Sequence, residues 1–157
     1  MTVERLLAAQ QRAAARGTVL AELIAARLGI APTDLKSVFL LAQGPRSARV
    51  LADELRLTPS AVTAVIDRLE RAGFAVRERS SADRRQVTVR AVPERVAEAT
   101  ALYRPLYEQM AELVGGYTDD QVMLLLDFAQ RSDEILAEVI GRVGHGDPPG
   151  GGLVSRA

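Results

Sequence analysis

Apolar residues recur at steps of three and four along the start of the chain, at Val3, Leu6, Leu7, Ala14, Leu20, Ile24 and Leu28, with alanines between them. That is the period of a helix with one buried face, and alanine is the strongest helix former. The pattern predicts a long first helix stopped by Gly29. Pro32 and Thr33 open a short second helix with Leu35, Val38, Phe39 and Leu41 toward the core, ending near Gly44 and Pro45. Ser47 is a good cap for a third helix of about two turns, carrying Val50, Leu51 and Leu55. After a tight break at Arg56 and Leu57, Thr58 and Pro59 supply the cap and first-turn proline of a fourth helix, which runs to Gly73.

The period then changes. Phe74, Val76, Val87 and Val89 alternate with Arg77, Arg79, Thr88 and Arg90, as in a half-buried strand pair, and the polar SSADRR between them is short enough for a hairpin. Beyond Pro93 the helical period returns in a fifth helix bearing Val96, Ala99, Tyr103, Leu106, Tyr107, Met110 and Leu113, stopped by Gly115 and Gly116. Thr118 and Gln121 form a capping box that opens a sixth, with Val122, Leu125, Leu126, Ala129, Leu136, Val139 and Ile140. The expected fold is mainly α: about six helices enclosing one β-hairpin, with residues 144–157, which begin GHGDPPGGG, a disordered tail.

Composition removes several function classes. The 157 residues contain no cysteine, which rules out disulfides, thiolate metal sites and thiol redox switching. The single histidine, His145, sits in the Gly/Pro-rich tail, so the usual general bases and nucleophiles are nearly all missing and no enzyme is expected. No apolar run approaches the roughly 18 residues of a membrane span, and no signal-peptide apolar region begins the chain. A cytoplasmic protein without cofactor or metal is the expectation.

The formal net charge is zero, but its distribution is not even. From Arg46 to Arg90 there are ten arginines against six carboxylates, a net of +4, and the flanking segments are correspondingly acidic. This basic centre coincides with a helix-turn-helix pattern. Ala52 is small where two helices would cross, Leu57 anchors the turn, and Val62, Val65, Ile66 and Leu69 line the inner face of the second helix. A basic hairpin directly afterwards makes the motif a winged one. Residues 58–72 would then enter a DNA major groove, and the hairpin at residues 74–90 would flank the adjacent minor groove.

On the outward face of the fourth helix, Ala61 and Ala64 are small enough to let the helix seat deeply, and Ser60 and Thr63 are placed to meet base edges or phosphates. Arg68 is expected to reach a base or a phosphate. With Arg49 and Thr58, and with Asp83, Arg84 and Arg85 at the wing, these residues form the expected DNA-binding set. Arg85 suits insertion into a narrow minor groove, and Asp83 is expected to hold it in position.

The stretch from Pro32 to Arg90 resembles the MarR family of bacterial transcriptional regulators, most closely in LADELRLTPSAVTAVIDRLERAGF and in ADRRQVTV, whose Asp83 and Arg85 supply the family's Asp-x-Arg. The resemblance implies a single MarR-like domain over residues 1–143, with 30–92 the winged helix-turn-helix and 1–29 and 93–143 the dimerisation helices. It further implies a homodimer on a pseudo-palindromic operator, usually a repressor released by a small aromatic or anionic effector. The alternative is a winged-helix interaction module that has lost DNA binding. Three features depart from the family pattern. Arg56 stands where glycine is usual in the turn, Pro93 and Val96 replace the threonine and glycine after the wing, and the cysteines of the peroxide-sensing branch are missing.

Overall fold

The computed structural model describes residues 2–79 and 87–144. In chain order they form α1 (Thr2–Leu28), α2 (Pro32–Ala42), β1 (Arg46–Ser47), α3 (Ala48–Leu55), α4 (Pro59–Arg71), β2 (Ala75–Arg79), β3 (Val87–Ala91), α5 (Pro93–Gly115) and α6 (Asp119–Gly144). This is the mainly helical winged fold the periodicity predicts. No helix among the described residues is long and apolar enough to cross a membrane. The chain divides into two compact units, residues 1–104 and 105–157.

In the first unit the helix ends follow local chemistry. Ser47 Oγ accepts from Val50 N at 3.3 Å and caps α3, and Thr58 Oγ1 accepts from Ala61 N at 3.2 Å and caps α4. Gly29 and Gly73, which end α1 and α4, take φ of 71° and 73°, conformations open to glycine at little cost. Arg56 ends α3 in the same left-handed region, at φ 55°, the one non-glycine residue to do so among those described. That conformation costs a side-chain-bearing residue about 1–2 kcal/mol. Arg56→Gly should therefore raise stability, by about 0.5–1 kcal/mol once glycine's greater unfolded-state entropy is subtracted. Thermal unfolding would register this as a higher Tm, and an unchanged or lower Tm would show that the Arg56 side chain offsets the strain.

The main core joins Val38 and Leu41 of α2, Leu51, Ala52 and Leu55 of α3, Val62, Val65, Ile66 and Leu69 of α4, and Phe74, Ala75, Val89 and Ala91 of the sheet region. Leu57 in the turn is partly buried against it. A second cluster gathers Ile24 and Ala25 of α1, Leu35 of α2 and Ala99 of α5, with Phe39 and Tyr103 in edge-to-face contact, ring centroids 5.6 Å apart. Helix α2 thus contributes to both. Pro93 takes the first position of α5, where its missing N–H leaves nothing unsatisfied, and Val92 O accepts from both Arg95 N and Val96 N at 3.1 Å.

The sheet departs from the expected single hairpin in two respects. It has three strands in the order β1-β3-β2, because Arg46 and Ser47 pair antiparallel with Val89 and Thr88. A two-residue strand is too short to leave a periodic signal. Register also corrects the inward set. Ala75 pairs with Ala91 and Arg77 with Val89, placing these four on the core side, whereas Val76 pairs with Arg90 on the other face. Phe74 is fully buried just before β2, and Val50 and Val87 are exposed despite their apolar character.

The second unit holds the end of α5, from Pro105, and α6. Thr118 and Gln121 form the expected reciprocal box: Thr118 N donates to Gln121 Oε1 at 3.0 Å and Gln121 N to Thr118 Oγ1 at 3.4 Å. Helix α6 contains no buried residue, and its large apolar side chains, Leu124 at 69% exposure among them, lie open in the single chain.

Candidate nucleic-acid interface

Helix α4 is the centre of the candidate site. Its inner face, Val62, Val65, Ile66 and Leu69, is buried as the sequence predicts, which turns Ser60, Thr63, Ala64, Asp67 and Arg71 to solvent. Ala61 is half-buried at one margin. Thr58 Oγ1, besides capping the helix, lies 3.1 Å from Ser60 Oγ. Thr63 Oγ1 donates to Pro59 O at 2.9 Å, so its hydroxyl is oriented by its own helix and presents lone pairs outward. The outward surface is therefore short, polar and free of bulky apolar groups.

The positive charge of this region divides into two sets. Arg46 is held by Glu54, Nε to Oε2 at 2.8 Å, and Arg90 by Glu78, through Nε at 2.9 Å and Nη2 at 2.8 Å. The Arg90 hydrogen bonds lower the Glu78 pKa, and the same bonds raise that of Arg90. Arg77 spans from β2 to α4: its backbone N and Nη1 bond Glu70, and its Nη2 bonds Asp67 Oδ1 at 2.6 Å. The hydrogen bond to Asp67 leads in raising the Arg77 pKa, so the group stays charged. Register explains the contact, because Arg77 lies on the same sheet face as Ala75, which belongs to the core shared with α4. By contrast, no carboxylate among the described residues pairs with Arg49, Arg56 or Arg79, and all three are exposed.

Arg68, expected to reach DNA, bonds a carboxylate within the protein. Its Nε donates to Asp34 Oδ2 at 2.9 Å and its Nη2 to Asp34 Oδ1 at 2.6 Å, a two-point fork that raises its pKa further above the ordinary value. Asp34 is only 2% exposed and the Arg68 side chain 42%. The pair lines an open cleft of about 330 Å³ with Gly29, Ile30, Ala31, Arg71 and Ala72. Sequence reasoning missed Asp34. Its one signal, an acid in the first turn of a helix, is equally explained by the helix dipole and so pointed nowhere.

Arg95 went unremarked as well. Its guanidinium carbon lies 4.0 Å from the centre of the Phe74 ring, joining the start of α5 to the α4–β2 junction. The wing residues Asp83, Arg84 and Arg85, and the tail from His145, lie outside the described residues.

A sequence profile of the MarR family matches residues 38–86, which span α2 to the wing. The uncharacterized HTH-type transcriptional regulator YcgE of Bacillus subtilis (strain 168) is 36% identical over 117 residues, covering 74% of this chain and 76% of that one. Among solved structures, a MarR family protein from Bacillus stearothermophilus superposes with a TM-score of 0.68 at 19% identity, covering 87% of this chain and 96% of its own. A MarR transcriptional regulator from Methanosarcina mazei Go1 gives 0.62 at 17% identity, covering 87% and 99%. The two structures are alike in fold, and the Bacillus subtilis relative extends the likeness to sequence beyond the winged segment. With a helix-turn-helix whose outward face is small and polar, this chain belongs to the MarR family of transcriptional regulators.

Proposed function

We propose that the protein is a homodimeric, sequence-specific repressor that places α4 of each subunit in successive major grooves of a pseudo-palindromic operator and is released by a small aromatic or anionic effector. The observation that carries the DNA reading is the outward face of α4. Ser60, Thr63 and Ala64 are exposed there, and Thr58 and Ala61 lie at its start. Small groups allow close approach to base edges, and a thymine methyl packs well on alanine. Arg49, at the start of α3, and Arg79, at the described end of β2, are exposed cations that no described carboxylate pairs with, and they suit the flanking phosphates. Dimerisation is supported by the open apolar side chains of α6 and by Val3, Leu6, Leu7 and Leu23 of α1. Effector release rests on family membership.

The test is to select bound fragments from genomic DNA, then measure affinity for the recovered site and for a scrambled version at two salt concentrations. A preference of a thousandfold order for the recovered site is expected of a specific regulator. Equal affinity for both would leave only non-specific binding, and no binding would favour an interaction module. The wing is tested in the same assay. Arg85→Ala should weaken binding and make the slope of log affinity against log salt shallower by about one. Asp83→Ala should also weaken it, although a negative charge is removed; tighter binding would show that Asp83 only repels DNA.

A further inference from the structure

We propose that Asp34 is a positioning residue for DNA recognition: through its two-point bond to Arg68 it fixes the roll of α4 about its own axis. The inference rests on the DNA-binding reading above and deepens it. Four observations support it.

Asp34 is buried and accepts Arg68 with both carboxylate oxygens, at 2.6 and 2.9 Å. The bond joins the first turn of α2 to the last turn of α4, 34 residues along the chain. It is the one ion pair between these helices among the described residues. An ion pair with one buried member is a poor stabiliser relative to apolar residues of the same size, so net stability gives little reason for one here. What such a pair does supply is direction.

The fork adds a directional bond to the shape fit of the core. The contacts of Val62, Val65, Ile66 and Leu69 are apolar, and apolar attraction carries no preferred angle. A roll of 10° moves side-chain ends by about 1 Å on a helix about 10–12 Å across, enough to break a base hydrogen bond.

Charged bonds hold both flanks of the helix. Arg68 meets Asp34 on one flank, while Glu70 and Asp67 meet Arg77 of β2 on the other. Arg68 and Glu70 are about 160° apart around the axis. Ser60, Ala64, Asp67 and Arg71 lie between them on the outward side. The base-facing strip is thus suspended between two braces.

Finally, α2 is itself anchored. Leu35, next to Asp34, is buried with Ile24 and Ala25 of α1 and Ala99 of α5. The brace therefore refers the angle of α4 to the helices outside the winged segment.

Asp34→Asn keeps the size of the side chain and removes its charge. Arg68→Lys keeps the positive charge and removes the fork. In the full-length protein both should lower affinity for the selected operator about tenfold, with affinity for scrambled DNA and the salt slope unchanged. The double variant should be no worse than either single one. Hydrogen exchange without DNA supplies an independent readout: amides of α2 and of the last two turns of α4 should exchange faster in both variants, with those of α3 unaffected. The proposal is overturned if Asp34→Asn leaves operator affinity unchanged, and also if it tightens binding to either DNA, since Arg68 would then be a DNA ligand that Asp34 restrains. It is equally overturned if the two losses add, if Arg68→Lys binds the operator normally, or if exchange in α2 and α4 does not change. Wild-type protein that fails to distinguish operator from scrambled DNA would sink the DNA reading instead, and the exchange data would then decide the brace alone.

Discussion

Ala64→Glu is expected to remove operator binding almost completely while leaving the fold intact. Ala64 lies near the centre of the exposed strip of α4 and is not part of either core cluster. Glutamate is a good helix former, so the folded chain should change by no more than about 0.5 kcal/mol. In the groove the same change is severe. The added length holds the helix away from the base edges, and the carboxylate is brought against phosphates. Like charges forced together across an interface cost several kcal/mol, so the loss should be about a hundredfold or more. Fluorescence anisotropy with the selected operator would measure it, beside a thermal melt to confirm folding. Binding within about threefold of wild type would show that this face of α4 does not enter the groove, since no groove-seated helix tolerates a buried carboxylate there at such a cost.

The second large effect is expected at the opposite end of the chain. Leu136 and Ile140 lie one helical turn apart on α6 and are 59% and 53% exposed in the single chain. Light scattering of the wild-type protein should give about twice the 16.9 kDa chain mass, as a homodimer requires. Leu136→Glu combined with Ile140→Glu puts two carboxylates on one apolar strip and should shift the mass toward that of one chain. A helix with no buried residue of its own has little intrachain packing to lose by these changes. Operator affinity should fall about a hundredfold or more in the same variant, because each half-site would be bound without the gain from the subunit joined to it in the dimer. A wild-type mass of one chain would sink the dimer, and with it the two-half-site operator. A double variant that remains dimeric would transfer the interface to α1.

The contrast between these two regions shows which features of the protein are written locally. Helix periods, the caps at Ser47 and Thr58, the stops at Gly29 and Gly73 and the box at Thr118 and Gln121 all depend on residues within a few positions of one another. Such interactions are encoded in short windows, so the six helices, the hairpin and the inner face of α4 are legible in the sequence. The outward residues of α4 follow from the same period once its inner face is known. Residues 80–86 and 145–157 fall outside the described structure, so the wing tip and tail remain sequence-based expectations.

What sequence alone determined, then, was the order of the six helices and the hairpin, the winged helix-turn-helix and the outward face of α4. Tertiary structure decided the third strand, the register that turns Arg77 toward α4, the left-handed conformation of Arg56, and which of the described arginines between Arg46 and Arg90 meet a carboxylate. It also gave Arg68, expected from the sequence as a DNA contact, a two-point bond to the buried Asp34. The physical reason is distance along the chain. A charge in a sequence has a sign but no partner, and the free energy of a buried carboxylate depends on which cation the fold brings to it.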